Sequence, residues 1–327
     1  MKVLVTGSAG HLGEALVRTL QQRPVEVIGL DIRPSAFTTH IGSITDRSFV
    51  RTCMEGVTTV FHAATLHKPH VATHTAQQFV DTNITGTLNL LQEAVAAGVQ
   101  RFVFTSTTSV FGDALVPPAG APAAWITEEV QPQPKNIYGV TKKAAEDLCQ
   151  LFYRNFGLPC IVLRTSRFFP EKDDDKHMRE SFQDENLKAN EFLFRRVELS
   201  DAVNAHLLAA EKAASIGWGV YIISATTPFR PADLHDLRYN APAVVLRAVP
   251  EYAGIYSRRG WKIHPCIDRV YVNDKARKEL GWEPVYDFAY VVARIKAGER
   301  LFSELAELTG SKGYHEERFT EGPYPVG

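Results

Sequence analysis

The sequence has few cysteines for its length. Four cysteines occur in 327 residues, at Cys53, Cys149, Cys160 and Cys266. They lie far apart and form no Cys-x-x-Cys pair, which argues against a disulfide framework and against a cysteine-based zinc site. We therefore expect them to be buried thiols of a protein that works in a reducing compartment.

Long apolar segments and an excess of one charge are also missing. No run approaches the roughly 20 apolar residues of a membrane-spanning helix, and no basic leader precedes the first apolar segment. The formal net charge is −1, so no general basic field would attract nucleic acid or an anionic membrane. We expect a cytoplasmic protein with neither of those partners.

Short β-branched segments alternate with longer helical patterns through the first half of the chain. The segments are KVLVT, EVIGLD, TTVFHAA, RFVFTST and PCIVLR, and GVYIIS follows later. Strands separated by helices form βαβ units, which build a parallel sheet covered by helices on both faces. The sequence therefore predicts an α/β fold with a doubly wound parallel sheet.

A chain of this length also predicts a second, smaller lobe, because single cores stop growing at roughly 250–300 residues. We expect residues 1–166, completed by about 198–227, to form the sheet domain. The pattern becomes strongly charged after Phe168, and short elements with scattered prolines follow from Pro228. Residues 167–197 and 228–327 are therefore predicted to form the smaller C-terminal lobe. Residues 116–134, rich in proline and alanine, have neither a helical nor a strand period and are predicted to form a loop over the sheet.

Three glycines directly follow the first predicted strand, in TGSAGHLG. Gly7 permits a tight turn, Gly10 lets the backbone approach a pyrophosphate, and Gly13 lets helix and strand pack closely. Asp31 ends the second strand, 18 residues after Gly13, where a carboxylate binds the ribose hydroxyls of NAD and repels the 2′-phosphate of NADP. Arg33 nearby weakens that preference, and an ordinary glycine-rich turn is the alternative.

A second informative segment is NIYGVTK. Tyr138 and Lys142 stand four residues apart at the start of a predicted helix, so both project from one face. A neighbouring ammonium favours the phenolate, so Tyr138 can exchange a proton with a substrate oxygen. The hydroxyl run Thr105–Thr108 ends another strand, at the edge of the sheet where ligands of open α/β folds bind. A surface helix pair and an ordinary strand end are the alternatives.

Together these segments resemble the extended short-chain dehydrogenases/reductases, also called the NAD-dependent epimerase/dehydratase family. The resemblance covers nearly the whole chain and includes VFHAAT, LRTSRFFP and VNDKARKELGWEP. It implies a Rossmann domain, NAD as cofactor, and catalysis by Thr107, Tyr138 and Lys142. It further implies NAD contacts at Gly7, Gly10, His11, Leu12, Gly13, Asp31, Ile32, Ser43, Ala63, Ala64, Asn83, Tyr138, Lys142 and Ser166.

Departures from the family pattern narrow the chemistry. Sugar-nucleotide dehydratases follow the catalytic threonine with Asp-Glu, whereas Thr108-Ser109 stands here, and the cysteine of the 3,5-epimerising branch is missing. We therefore expect neither dehydration nor 3,5-epimerisation. Ser43 stands where an adenine-binding aspartate is common, which leaves that contact open.

The predicted substrate residues are Thr107, Thr108, Arg167 and Arg179. Only about 27 residues separate Pro170 from Val197, which is short for enclosing a nucleotide sugar. A small substrate with an anionic or polyhydroxy group would suit Arg167 and Arg179 as bidentate ligands. A structural ion pair is the alternative for Arg167, and a solvated loop position is the alternative for Arg179.

Four histidines lie close together in FHAATLHKPHVATHT. They are His62, His67, His70 and His74, and no carboxylate lies between them. The first belongs to the end of a strand and the others to a predicted loop. We therefore expect no metal site.

The resulting expectation is an NAD-dependent enzyme that moves hydride at a secondary alcohol or hemiacetal carbon of a sugar-like substrate. Its compact substrate segment and Pro170-Glu171 resemble the uronate dehydrogenases, which favours a dehydrogenase of a free sugar or sugar acid. An NAD-retaining nucleotide-sugar 4-epimerase uses the same triad and stays open, and a non-catalytic NAD-binding regulatory protein is a more distant alternative. The helices containing Asn83 and Tyr138 resemble the family's dimer helices, so we expect a homodimer. Leu151 and Phe152 are the apolar positions expected to be exposed for this contact, and a helix packed only on the sheet is the alternative.

Overall fold

A seven-stranded parallel sheet forms the centre of the molecule in the computed structural model, which describes residues 1–313 and Phe319. The strand order is β3-β2-β1-β4-β5-β7-β8, and a separate parallel pair, β6-β9, lies outside it. The nine strands are β1 Lys2–Thr6, β2 Glu26–Asp31, β3 His40–Ile41, β4 Thr59–His62, β5 Arg101–Thr107, β6 Ala124–Ile126, β7 Cys160–Thr165, β8 Trp218–Ile223 and β9 Arg269–Tyr271.

Thirteen α-helices are found among the described residues. They are α1 His11–Leu20, α2 Arg47–Cys53, α3 Ala76–Phe79, α4 Gly86–Ala96, α5 Ile137–Phe156, α6 Lys176–Ser181, α7 Asp184–Glu191, α8 Leu199–Ile216, α9 Leu234–Ala248, α10 Tyr252–Arg259, α11 Asp274–Leu280, α12 Phe288–Lys296 and α13 Glu304–Thr309. None of these helices is long and apolar enough to cross a membrane. The α/β prediction is confirmed, since helices and parallel strands alternate as expected.

Helix α5 is positioned by local signals at both of its ends. The Asn136 side chain accepts the Gly139 N–H at 3.0 Å, so it caps the first turn. Gly157 ends the helix in the left-handed region at φ 69°, a conformation that side chains disfavour. The cap fixes where the helix begins, and therefore where Tyr138 lies relative to the sheet.

The strands are buried on both faces, as a doubly wound sheet requires. In β1, Val3 and Val5 pack towards α1 and α8, whereas Leu4 packs into the cluster with residues of α4 and α5. A further core contains Phe192, Phe288 and apolar residues of α9 and α10. The separate core supports the proposed division into a sheet domain and a smaller lobe, which stays a prediction.

Three local expectations were wrong. Phe152 was expected on an exposed apolar face of α5, but it is buried against Phe156 and the core. Cys266 is exposed, whereas Cys53 and the other two cysteines are buried as expected. The predicted loop over residues 116–134 contains β6, which pairs with β9 through a contact distant in sequence.

Candidate active site

A cavity of about 800 Å³ opens where the strands of the main sheet end. Its wall combines the glycine loop after β1, the end of β2, the loop after β4, the end of β5 and the start of α5. Parallel strands present their carboxyl ends at one edge, which is where ligands of open α/β sheets bind. Segments far apart in sequence are therefore brought to one site by the sheet.

The glycine loop leaves no space for a side chain at Gly7 or at Gly13. Gly7 has φ +75°, and a Cβ at this position would lie 2.8 Å from the Ala64 nitrogen. A Cβ on Gly13 would lie 1.9 Å from the Gly7 carbonyl oxygen. The loop can therefore turn tightly into α1 and present backbone amides to a ligand, which fits the diphosphate of a dinucleotide.

Asp31 lies beside this loop at the end of β2. One carboxylate oxygen accepts the Ala9 N–H at 3.0 Å, and the other accepts the Arg33 N–H at 2.9 Å. Asp31 and Arg33 both line the cavity. The carboxylate thus holds the loop in place and also faces the region predicted to receive the ribose.

The predicted acid/base residues meet at the end of β5. The Thr107 side chain interacts with the Tyr138 hydroxyl, and both residues line the cavity. Thr107 Oγ1 accepts the Ser109 N–H at 3.1 Å. The Thr107 hydroxyl keeps its own proton and one further lone pair for Tyr138 or a ligand oxygen.

Lys142 lies one turn further along α5 and is buried. Its Nζ donates to the Thr105 carbonyl oxygen at 2.6 Å and lies 4.0 Å from the centroid of the Phe104 ring. The carbonyl and the ring face stabilise an ammonium. Even so, burial lowers the pKa of Lys142 to about 7, against the opposing influence of Cys149 and Glu146.

Burial also determines the protonation of Tyr138. It raises the pKa of Tyr138 to about 12, although the hydrogen bond with Thr107 acts in the opposite direction. That Lys142 and the positive charge of a nicotinamide ring together favour the phenolate stays a prediction, and burial opposes it. At neutral pH the phenol holds its proton and is poised to donate it.

Most of the predicted cofactor residues line the cavity. They are Gly7, Gly10, His11, Leu12, Gly13, Asp31, Ile32, Ser43, Ala63, Ala64, Tyr138 and Ser166. The buried Ser166 Oγ has no hydrogen-bond partner within the described part of the chain, and Ser166 lies in the wall. An orphaned buried hydroxyl at this position fits a bound cofactor as its missing partner.

Lys142 does not belong to the described cavity wall, and neither does Asn83. Asn83 lies in a π-helical turn, Val80–Thr85, where its amide exchanges hydrogen bonds with the backbone of Leu66 and donates to Thr141 at 3.0 Å. Both ends of the amide are therefore in use within the protein. The structure places Asn83 as a support for the loop after β4 rather than as a direct cofactor contact.

The two arginines predicted to bind substrate are engaged in the protein. Arg167 lines the cavity, and its guanidinium pairs with Asp173 at 3.1 Å, Asp174 at 3.5 Å and Glu191 at 3.8 Å. Arg179 donates to the carbonyl oxygens of Asp173 and Asp174 and does not belong to the described cavity wall. For Arg167 this geometry agrees with the alternative of a structural ion pair. Arg179 matches neither the predicted ligand nor the solvated loop, because it lies in α6 and is hydrogen-bonded to the backbone. Thr108 lines the cavity as expected.

A buried ion pair behind the site was missed from the sequence. Arg164 binds Glu146 through two bonds of 2.8 and 3.0 Å, and Ser106 donates to the same carboxylate at 2.6 Å. Glu146 lies one helical turn after Lys142, and Ser106 lies between the two β5 residues that contact Lys142 and Tyr138. The four-residue spacing of Lys142 and Glu146 could have been noticed in the sequence. The partners of Glu146 on β5 and β7 could not, because only the fold brings those strands next to α5.

A sequence model of the NAD dependent epimerase/dehydratase family matches residues 3–223, more than half of the chain. The chain belongs to this family. NAD is therefore its cofactor. The resemblance stated from the motifs is confirmed.

The names of the curated relatives of this chain do not agree on one activity. An uncharacterized UDP-glucose epimerase of Bacillus subtilis, YtcB, is 30% identical over half of the chain and 55% of its own length. The uncharacterized protein y4nG of Sinorhizobium fredii is 33% identical over 49% of the chain and 39% of its own length. A 3-beta-hydroxysteroid dehydrogenase of Mycolicibacterium neoaurum is 27% identical, and the alignment covers 87% of both chains.

Solved structures agree in fold. A short-chain dehydrogenase/reductase superfamily protein of Agrobacterium tumefaciens with bound NAD superposes with a TM-score of 0.63 at 24% identity, covering 91% of this chain and 98% of that chain. The UDP-N-acetylglucosamine 4-epimerase of Bacillus cereus gives 0.62 at 20% identity over the same shares. At such identities the likeness establishes the doubly wound Rossmann fold and leaves the substrate to be argued from the site.

Proposed function

We propose that this protein is an NAD-dependent dehydrogenase or reductase that acts at a secondary alcohol or hemiacetal carbon of a free sugar or sugar acid. The observation that carries the proposal is that Tyr138 and Thr107 lie in the wall of the same cavity as the glycine loop. Two adjacent hydroxyls can hold one substrate oxygen while its proton is transferred. The close packing of Lys142 behind them disfavours a non-catalytic regulatory protein.

In the proposed mechanism each side chain has a separate task. NAD, when bound, supplies the acceptor or donor of hydride at the substrate carbon. Tyr138 gives a proton to the substrate oxygen during reduction and removes it during oxidation. Thr107 would hold that oxygen by a hydrogen bond. Lys142, buried behind the wall, places a positive charge next to the end of β5, and the family resemblance assigns it to the nicotinamide ribose.

The charges of the cavity wall support an acidic substrate. Eight lysine and arginine residues line it but only three carboxylates, although the whole chain has 36 basic and 37 acidic residues. The basic residues are Arg33, Lys68, Lys135, Arg167, Lys172, Arg195, Arg269 and Lys312. Within the described residues five of them, Lys68, Arg167, Arg195, Arg269 and Lys312, already pair with carboxylates of the protein. Arg33, Lys135 and Lys172 are therefore the cations of the wall that we propose attract an anionic group of a ligand. A carboxylate or phosphate on the substrate would be the matching group.

The size of the cavity supports a small substrate. Ligand cavities of about 300–1,000 Å³ hold one drug-sized molecule. The volume of about 800 Å³ must accommodate a dinucleotide as well as the substrate. A free sugar acid needs less of the remaining space than a nucleotide sugar.

A nucleotide-sugar 4-epimerase that retains NAD is the second candidate. The excess of cationic side chains would equally attract the diphosphate of such a substrate, and curated UDP-glucose epimerases align with about half of the chain. A sterol alcohol is a further candidate substrate, because the 3-beta-hydroxysteroid dehydrogenase relative aligns over 87% of the chain. The same hydroxyl pair can serve all three reactions.

Cofactor retention separates these candidates. The purified protein is unfolded and the released NAD(H) is quantified, while free sugars, sugar acids, nucleotide sugars and a 3β-hydroxysteroid are screened for NAD reduction at 340 nm. We expect little retained cofactor and reduction of added NAD in the presence of a sugar acid. The Tyr138→Phe variant is the negative control for this reduction. Stoichiometric retained NAD without net reduction would contradict the dehydrogenase and favour the epimerase.

Asp31 is proposed to select NAD over NADP. Asp31→Asn keeps an acceptor for the Ala9 N–H but removes the charge that would repel a 2′-phosphate. We expect the ratio of NADPH affinity to NADH affinity to rise about tenfold. This change corresponds to losing ~1.4 kcal/mol of repulsion between the carboxylate and the 2′-phosphate. Fluorescence titration with both dinucleotides measures it, and Asp274→Asn on α11 is the control. An unchanged ratio would show that another group selects the cofactor.

A cytoplasmic homodimer is the proposed state of the protein. Val140, Leu151 and Phe156 are exposed apolar residues of α5, one of the two helices expected at the interface. Burial of such residues against a second copy would remove apolar surface from water. The molar mass from light scattering tests the proposal, and a value of one 36.4 kDa chain would contradict it.

A further inference from the structure

Glu171 connects three separate parts of the chain at the edge of the NAD cavity. One of its oxygens lies 2.9 Å from Nε2 of His11, the first residue of α1. The same oxygen accepts the Ser311 hydroxyl at 2.8 Å and the Lys312 N–H at 3.1 Å. The segment that follows α13 is thereby fixed to the start of the glycine-loop helix.

A second ion pair holds the same segment. Lys312 Nζ pairs with the carboxylate of Glu14, which lies in the first turn of α1 and also binds Arg18 at 2.8 Å. Lys312 and Gly313 line the cavity together with Gly7, Gly10 and Gly13. We call residues Ser311–Gly313 the C-terminal strap.

The contacts of the strap are shielded from water. The side chains of His11, Glu14 and Glu171 are 5%, 6% and 9% exposed. Burial alone would raise the pKa of Glu171, but the hydrogen bonds from His11 and Ser311 prevail and lower it to about 2. The carboxylate is therefore ionised at neutral pH, and its bonds are the charge-assisted, stronger kind.

We propose that the C-terminal strap, anchored by Glu171, is part of the NAD-binding site and slows the release of NAD(H). The strap contacts α1 through Lys312 and Glu14, and Glu171 connects it to His11, directly beside the loop that receives the diphosphate. Lys312 adds a positive charge to the wall at this end of the cavity. Departure of the dinucleotide past the strap requires its bonds to Glu171 and Glu14 to break.

The inference depends on NAD binding and is independent of the proposed substrate. Many enzymes of this kind are limited by the release of product or cofactor. A strap that holds the cofactor would favour retention, whereas its opening would permit exchange after each turnover. Glu171 is thus a positioning residue, because it acts on the cofactor through the strap and His11.

The experiment measures the dissociation of NADH directly. Protein loaded with NADH is mixed with excess NAD⁺ in a stopped-flow instrument, and the loss of bound-NADH fluorescence gives the dissociation rate. Lys312→Ala and Glu171→Gln each remove charge-assisted hydrogen bonds, so we expect the rate to rise about tenfold or more. Lys296→Ala, an exposed lysine of α12 outside the cavity wall, should leave the rate unchanged.

Thermal melting of the same variants distinguishes binding from folding. If both variants melt at lower temperature but release NADH at the native rate, the strap is only a structural support and the proposal is wrong. Should Glu171→Gln fail to fold, Lys312→Ala decides the question, because its side chain is partly exposed and its removal leaves no buried gap. Rates of Lys312→Ala within twofold of the native rate would overturn the proposal.

Discussion

Replacing Tyr138 by phenylalanine should lower kcat about 100- to 10,000-fold, the range that general acid–base catalysis contributes. The substitution removes only the hydroxyl that bonds Thr107 and keeps the ring that fills the site. NADH affinity should stay within twofold, since the ring and Lys142 remain. Steady-state kinetics with the substrate found by the screen, together with NADH titration, measure the two quantities.

Tyr239→Phe is the matched control, because Tyr239 is an exposed residue of α9. It should leave kcat unchanged. Native-like turnover of Tyr138→Phe would show that another group transfers the proton. A loss of NADH binding in that variant would instead assign Tyr138 to the cofactor and would contradict the separation of roles proposed here.

The same hydroxyl should set the pH dependence of the native enzyme. Because burial raises the pKa of Tyr138 to about 12, its neutral form dominates at pH 7, and this form is the proton donor of reduction. Oxidation requires the phenolate, whose fraction grows tenfold per pH unit below the pKa. Oxidation should therefore accelerate as pH rises while reduction does not, and Tyr138→Phe should lose this difference.

The parts of the site that were predictable from the sequence depend on local spacing. Gly7, Gly10 and Gly13 follow one strand directly, and Tyr138 and Lys142 lie one turn apart on one helix. Such patterns reflect backbone geometry within a few residues, so they can be recognised without knowledge of the partners. The parallel sheet followed from the alternation of strands and helices for the same reason.

The remaining parts depend on which distant segments the fold brings together. Arg167 is engaged because Asp173 and Glu191 pack beside it, and a charged sequence does not reveal which carboxylates will do so. The contact of Glu171 with Ser311 joins residues 140 positions apart. Helical periodicity identifies the apolar stripe of α5 that contains Phe152, but it does not tell which neighbouring element covers that stripe. The burial of Phe152 was therefore missed.

The glycine loop carries the second large effect, which we expect from Gly13→Ala. The added Cβ would lie 1.9 Å from the Gly7 carbonyl oxygen and 2.9 Å from the Ser8 Cα. Gly7 cannot withdraw easily, because it already approaches Ala64 closely and holds φ at +75°. The loop must therefore deform, at about the 1–3 kcal/mol that overpacking typically costs.

If the deformation of the loop destabilises its cofactor-binding conformation by this amount, NADH affinity should decrease about 10- to 100-fold. Gly254→Ala is the control: Gly254 is an exposed position of α10 where the nearest atom to an added Cβ lies 3.6 Å away. There alanine favours the helix, so binding should be native and stability unchanged or higher. Fluorescence titration of NADH compares the two variants. Native affinity in Gly13→Ala would mean that the loop tolerates a shift and that the diphosphate is held elsewhere.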